Sequence, residues 1–307
     1  MINRKLWALT AVLLIFVFLL GGCAQEEEAK TIAYVAWNMN NPWSVKLRDA
    51  IKAEVEANGD TFVEADPAGD PAKQIPQMET FIGQKVGGII LTPTDSTALL
   101  PSIEAADEAG IPVVIAGAGI DEGAWKAAVL TDNFQGGKQI GDYIVEKLGG
   151  KGKVVATNLP GIEDPELRQE GWEAALEGTE IEILDYQMCA TVELGVTAME
   201  NWLQKYAGEE ISAMIGCNDP TALGALTVIE EADLQDKIFV VGVDGSDEAI
   251  QAMKDCRSYG ASAAQQPEEM GKRSAETLYK VLAGEEIAER VVRIPTLLLT
   301  FEDYCTE

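Results

Sequence analysis

Short apolar runs of four to seven residues punctuate this chain at intervals of roughly 25 to 35 positions, with apolar residues at helical spacing between them. Runs of that length predict strands, and a first series falls at 32–37, 61–65, 88–91, 112–116 and 127–131. A second series follows at 153–158, 181–186, 213–216, 238–243 and 260–264. Strand alternating with helix predicts right-handed βαβ units around parallel sheets. Gly59, Gly110, Gly149, Gly208 and Gly284 stand where helices end on a left-handed cap. Pro76 should kink or delay the helix it interrupts. The two series predict two similar lobes, each an α/β, doubly wound parallel sheet. In such sheets ligands bind beyond the carboxyl ends of the strands.

The first residues break this rhythm. Arg4 and Lys5 precede an apolar run over 6–20, which ends at Gly21-Gly22-Cys23. About 15 apolar residues fall short of the roughly 20 that span a bilayer core. Charged, apolar and small-residue regions in that order read as a secretory leader covering 1–22. Leu20-Gly21-Gly22-Cys23 also has the form of a lipobox, whose cysteine is lipid-modified and becomes the first mature residue. Residues 23–30 then form a polar, lipidated tether, and the mature protein is extracytoplasmic and lipid-anchored to the cell membrane.

Composition narrows the chemistry. Removing 22 of 307 residues leaves 285, and 47% of the chain is hydrophobic, enough for two modest domains with real cores. The formal net charge is −28, and loss of Arg4 and Lys5 takes it to about −30, a surface that repels nucleic acid and anionic headgroups. There is no histidine. Ser-His-Asp hydrolases, Cys-His proteases and His-ligated metalloenzymes are thereby excluded.

Several residues of chemical interest lie just after strands. Asn41-Pro42-Trp43-Ser44 follows the first, with Asn41 suited to an N-cap and Pro42 to the first helical position. Trp43 on that exposed turn offers an aromatic face beside a polar amide, the pairing that a sugar's C–H face and hydroxyl edge require. Asn218-Asp219-Pro220 repeats the arrangement after the run ending at 216. Asp244 closes another strand with a carboxylate that can accept two charge-assisted hydroxyl bonds. Arg168, on a helix starting near Asp164-Pro165, presents fork-shaped donors. Gln265-Gln266-Pro267 ends the last strand of the second series.

With these residues in view, the chain resembles the ribose/galactose class of type I periplasmic sugar-binding proteins over essentially its whole mature length. The likeness is carried by 31–36 with Asn40-Asn41-Pro42-Trp43, Leu91-Thr92-Pro93-Thr94-Asp95 and Ala109-Gly110-Ile111-Pro112-Val113. Asn218-Asp219 through Ala225 and Val240-Val241-Gly242-Val243-Asp244-Gly245 complete it in family order. The resemblance implies a hinge of three crossovers near Asp132, Gln265 and Ile294. Lobe 1 is then 31–131 plus 265–293, and lobe 2 is 132–264 plus 294–307. It also implies ligand contacts at Asn41, Trp43, Arg168, Asn218, Asp244 and Gln265. Where ribose binders carry an Asp-Arg pair this chain reads Gly117-Ala118, and a second-lobe aromatic is replaced by Ala190. Ser44 replaces an aromatic beside Trp43, and Trp37 fills a usually small position, a further candidate contact. Gly117-Ala118 is therefore expected to open space on the first-lobe wall and to make ribose a poor fit.

On this lobe arrangement Cys256 and Cys305 both fall at the pole of lobe 2 away from the cleft, which favours that pair as a disulfide. Cys189 and Cys217 end strands that flank a third, about 9–10 Å apart against a bridging limit of roughly 7 Å. Loops beyond those strands can converge, so that pairing stays open. The expected protein is a monomeric substrate-binding lipoprotein that hands a small sugar or sugar-like ligand to an ABC permease, without catalysis, cofactor or nucleic-acid partner. The alternatives are a receptor presenting the same ligand to a chemoreceptor or sensor kinase, and a binder of polyols, nucleosides or a quorum-signalling sugar derivative.

Overall fold

The computed structural model describes residues 28–160, 163–188, 191–208 and 210–305. The leader, Cys23, Cys189 and Ala190 lie outside the described residues. Each of the ten apolar runs carries a strand, and the chain runs β1 (Thr31–Val35), α1 (Pro42–Ala57), β2 (Thr61–Ala65), α2 (Pro71–Gln84), β3 (Gly88–Leu91), α3 (Leu100–Glu108), β4 (Val113–Ala116) and β5 (Ala127–Thr131). It continues through α4 (Asn133–Leu148), β6 (Lys151–Asn158), α5 (Glu163–Leu176), β7 (Glu180–Met188), α6 (Val192–Lys205), β8 (Ala213–Ile215) and α7 (Asp219–Glu231). It closes with β9 (Phe239–Asp244), α8 (Asp247–Lys254), β10 (Tyr259–Ala264), α9 (Pro267–Leu282), β11 (Val291–Ile294), β12 (Leu297–Thr300) and α10 (Phe301–Tyr304). Among the described residues no helix is long and apolar enough to cross a membrane.

Two six-stranded sheets result. The first has the order β11-β5-β4-β3-β1-β2 and is parallel throughout. β3, β4 and β5 are buried along their whole length, as strands covered on both faces must be. Alternation along β1 sends Ile32 and Tyr34 against Leu47, Ile51 and Leu278 of α1 and α9. Ala33 and Val35 point the other way, against Met78, Phe81 and Ile103 of α2 and α3. The second sheet, β12-β10-β9-β8-β6-β7, is sandwiched in the same manner. Ile140 and Trp172 cover one face, and Trp202, Leu226 and Met253 the other.

One strand departs from the expected parallel sheet, because β12 pairs antiparallel with β10. A two-residue link from β11 has no room for the crossover that parallel pairing needs, so the chain runs back along the second sheet's edge. Neither β11 nor β12 is among the predicted runs. Pro76 lies inside α2 without ending it. Ala72, whose carbonyl loses its partner there, is exposed, so solvent can reach it. Gly59, Gly110, Gly149 and Gly284 do have positive φ, whereas Gly208 does not, and α6 ends earlier, on Tyr206.

The chain passes between the sheets after β5, after β10 and between β11 and β12. These passages are bonded to one another. Asp132 N–H donates to the Ile294 carbonyl at 2.8 Å, and Gln266 Nε2 to the Pro295 carbonyl at 2.7 Å. Cys256, just beyond α8, is disulfide-bonded to Cys305, just beyond α10, with Cα atoms 5.2 Å apart.

Candidate ligand-binding cleft

β9 delivers Asp244 to its carboxyl end, β10 delivers Gln265, and α5 brings Arg168 across to meet them. Arg168 is only 7% exposed. Its Nε donates to Asn133 Oδ1 at 2.8 Å and its Nη1 to the Cys217 carbonyl at 2.7 Å. Nη2 stands 3.6 Å from Asp244 Oδ1. Gln265 Nε2 donates to that same Oδ1 at 2.8 Å, while its Oε1 accepts from Thr131 Oγ1 at 2.8 Å. The Asp244 carboxylate, which when ionised can only accept, sets the polarity of the amide, so the NH2 faces it and the Thr131 hydroxyl donates to Oε1. Three of the expected contacts, Arg168, Asp244 and Gln265, are thus one connected group.

Burial pushes the Asp244 carboxyl up to about 6, opposed by the Arg168 guanidinium and reinforced by the neighbouring Asp219 carboxylate. Asp164 is raised as well, chiefly by burial, with Arg168, Arg293 and a bond from Asn133 working against it. One buried guanidinium therefore serves two flanking carboxyls. Such a site offers acceptors and shared donors to hydroxyls.

Asn41 and Asn218 sit at helix starts, as expected. Asn41 Oδ1 accepts from Trp43 N–H at 2.9 Å and Asn218 Oδ1 from Thr221 N–H at 3.0 Å. Each carboxamide oxygen thereby satisfies one of the unpaired amides of a first helical turn. Trp43 packs partly into the core of the first sheet. Gly117, at the end of β4 with φ 87°, lies directly beneath its ring. An ideal Cβ on Gly117 would overlap Trp43 Cη2 and come within 3.1 Å of Cζ2. The expected open space at Gly117-Ala118 does not exist, because the indole fills it. Trp37 is 37% exposed, its carbonyl accepts from Gly69 N–H, and among the described residues no ring contact or side-chain hydrogen bond ties it to the other candidates.

The two halves meet across the cleft. Lys46 Nζ of α1 is 3.7 Å from Asp247 Oδ1 of α8. The Glu163 carboxylate of α5 lies so close to Gly119 that an ideal Cβ there would fall 2.5 Å from Oε2. Asn133, Thr131, Asp164 and Asp219 went unrecognised in the sequence. Thr131 and Asn133 do stand at a strand end, which is the one signal that marks them. Their roles depend on a crossover that places them beside Arg168 and Gln265.

Two α/β sandwiches, three linking passages and a polar group at the facing strand ends define a two-lobed binding protein. A family model described as a periplasmic binding protein domain matches residues 32–286. The ribose import binding protein RbsB of Bacillus subtilis (strain 168) is 30% identical over 310 residues, spanning 95% of this chain and 98% of that protein. A solved structure titled as a periplasmic ribose ABC transporter from Conexibacter woesei superposes with TM-score 0.84 at 26% identity, covering 90% and 93% of the two chains. A solute-binding protein from Actinobacillus succinogenes with bound D-allose gives TM-score 0.81 at 26% identity, covering 90% and 99%. The chain belongs to the periplasmic binding protein family, and its fold is that of the type I sugar-binding members.

Proposed function

We propose that this chain is the extracytoplasmic solute-binding component of a sugar-importing ABC transporter, capturing one small neutral sugar or polyol between its lobes. The observation that supports this most is the connected Arg168–Asp244–Gln265 group at the carboxyl ends of the second sheet's strands, with the Trp43 indole packed on Gly117 just after β4 of the first sheet. Hydroxyls on one side of a ligand would bond the polar group, and its C–H face would lie on the aromatic wall. A ligand touching both lobes does so only when they are closed, so it shifts the population toward closure, and a membrane permease reads the closed form. Lipidation at Cys23, a monomeric state and the absence of a catalytic step belong to the same reading. A thermal-shift panel of pentoses, hexoses, inositols, alditols and nucleosides tests it, since binding raises the apparent stability by mass action. Stabilisation by a neutral polyhydroxylated compound is expected. Stabilisation only by charged or non-hydroxylated compounds would overturn the assignment.

A further inference from the structure

Asn218 caps α7, and Asp219 is the first residue of that helix. The structure buries Asp219 completely, at 0% exposure. Its Oδ1 accepts from Tyr259 OH at 2.8 Å and from Ser262 Oγ at 2.7 Å. Its Oδ2 accepts from the Ser246 N–H at 2.7 Å. Ser262 Oγ accepts in turn from the Gly245 N–H at 2.9 Å. The two amides immediately after Asp244 are thus held from behind by one carboxylate, one directly and one through a serine.

Asp244 needs such restraint. Its φ of 136° is a conformation that residues with a Cβ rarely adopt, and it persists only where the surroundings over-determine it. Gly242 makes the arrangement sterically feasible, since a Cβ there would overlap both Asp219 Oδ1 and Tyr259 OH. A carboxylate this deep is retained at a desolvation cost that three hydrogen bonds offset only in part. That cost argues for a task beyond packing.

We infer that Asp219 is a positioning residue for the ligand site, holding the Asp244-Gly245-Ser246 turn so that the Asp244 carboxylate faces Arg168, Gln265 and the ligand. The inference rests on the proposed reading of the cleft, so its test begins without any ligand. Amide exchange and side-chain carboxyl NMR titration are measured on the mature chain, wild type, Asp219→Asn and Ser262→Ala. In Asp219→Asn one carboxylate oxygen becomes an NH2, so either the Ser246 N–H or the Tyr259 and Ser262 hydroxyls lose their acceptor, and exchange at Ser246 or at Gly245 behind Ser262 should quicken at least about tenfold. Arg168, Cys217, Tyr259 and Gln265 also face Asp244 and are left unaltered, so any movement of the Asp244 midpoint from its wild-type value reports the loss of Asp219. In Ser262→Ala the Gly245 amide should quicken, which preserves the test if Asp219→Asn does not fold. D-ribose, D-allose and myo-inositol are then titrated in turn, and any that binds wild type should bind Asp219→Asn at least about tenfold more weakly. Unchanged exchange at both Ser246 and Gly245 and an unchanged Asp244 midpoint in folded Asp219→Asn would overturn the inference, as would wild-type affinity. Undiminished binding by Asp244→Ala would instead count against the cleft reading, leaving the amide results standing.

Discussion

The Trp43 indole occupies the space that a side chain on Gly117 would need. Ring and glycine are far apart in sequence, yet the fold packs one directly on the other, and on the proposed reading they make the first-lobe wall of the cleft aromatic. Gly117→Ala should therefore do two things. It should cost about 1–3 kcal/mol through overpacking and a positive φ, read by denaturant unfolding. It should also shift the part of the tryptophan fluorescence that Trp43→Phe removes. A Gly117→Ala protein with wild-type stability and spectrum would show that ring and glycine are not in contact.

Acidity should act on folding and on binding in opposite directions. The Asp244 carboxyl is raised to about 6 in the fold, against about 3.9 in an unfolded chain. Between those values the folded state holds a proton that the unfolded state has released, so this group's contribution is present below pH 4 and lost as pH rises through 6. Wild type should therefore lose stability relative to Asp244→Asn over that window, on the order of 2 kcal/mol. Ligand affinity should fall below pH 6, because the protonated acid is a weaker acceptor for hydroxyls. Parallel pH profiles for wild type and Asp244→Asn would contradict the assignment.

The Cys256–Cys305 bond spans a sequence separation of 49 residues at the end of α8 away from the cleft. In the chain-entropy model a loop of that length stabilises by about 4 kcal/mol. Cys256→Ser with Cys305→Ser should lower Tm by several degrees while leaving the ligand dissociation constant within about twofold, since the bond touches no cleft residue. A comparable loss of affinity would mean that the bond tensions the α8 start at Ser246 as well as the helix end.

Lipidation predicts that the mature N-terminus is Cys23 carrying at least two acyl chains, because one chain gives only marginal membrane binding. Intact-mass analysis of membrane-extracted protein checks this. A Cys23→Ser protein that still pellets with membranes would point to a retained hydrophobic leader.

The strands were legible because each central one is a continuous apolar run, and a parallel sheet covered on both faces demands such runs. β11 and β12 were not, since both are four residues long and only partly buried. Their strand character comes from pairing with β5 and β10, which no local pattern announces. In the site, Asp244 and Gln265 were readable because polar residues directly after apolar strands fall at the cleft. Asn133 and Asp219 were not, because their importance lies in what they hold, Arg168 and the Ser246 amide, across long stretches of sequence. Gly117 misled for the same reason. A glycine in sequence is an absent side chain, whereas in the fold another residue takes the room.

The most direct measurement is calorimetric titration of mature wild type and Asp244→Ala with a panel of neutral sugars and polyols that includes D-ribose. At least one compound should bind wild type with a micromolar or tighter dissociation constant, about 8 kcal/mol or more. It should present hydroxyls to Arg168 and Asp244 and a less hydroxylated face to Trp43, so D-ribose should not be the tightest. Asp244→Ala should lose that binding by at least about tenfold, one charge-assisted hydrogen bond's worth. Equal affinity of both proteins for every compound that binds, or tightest binding of D-ribose, would contradict the proposed site and its specificity respectively.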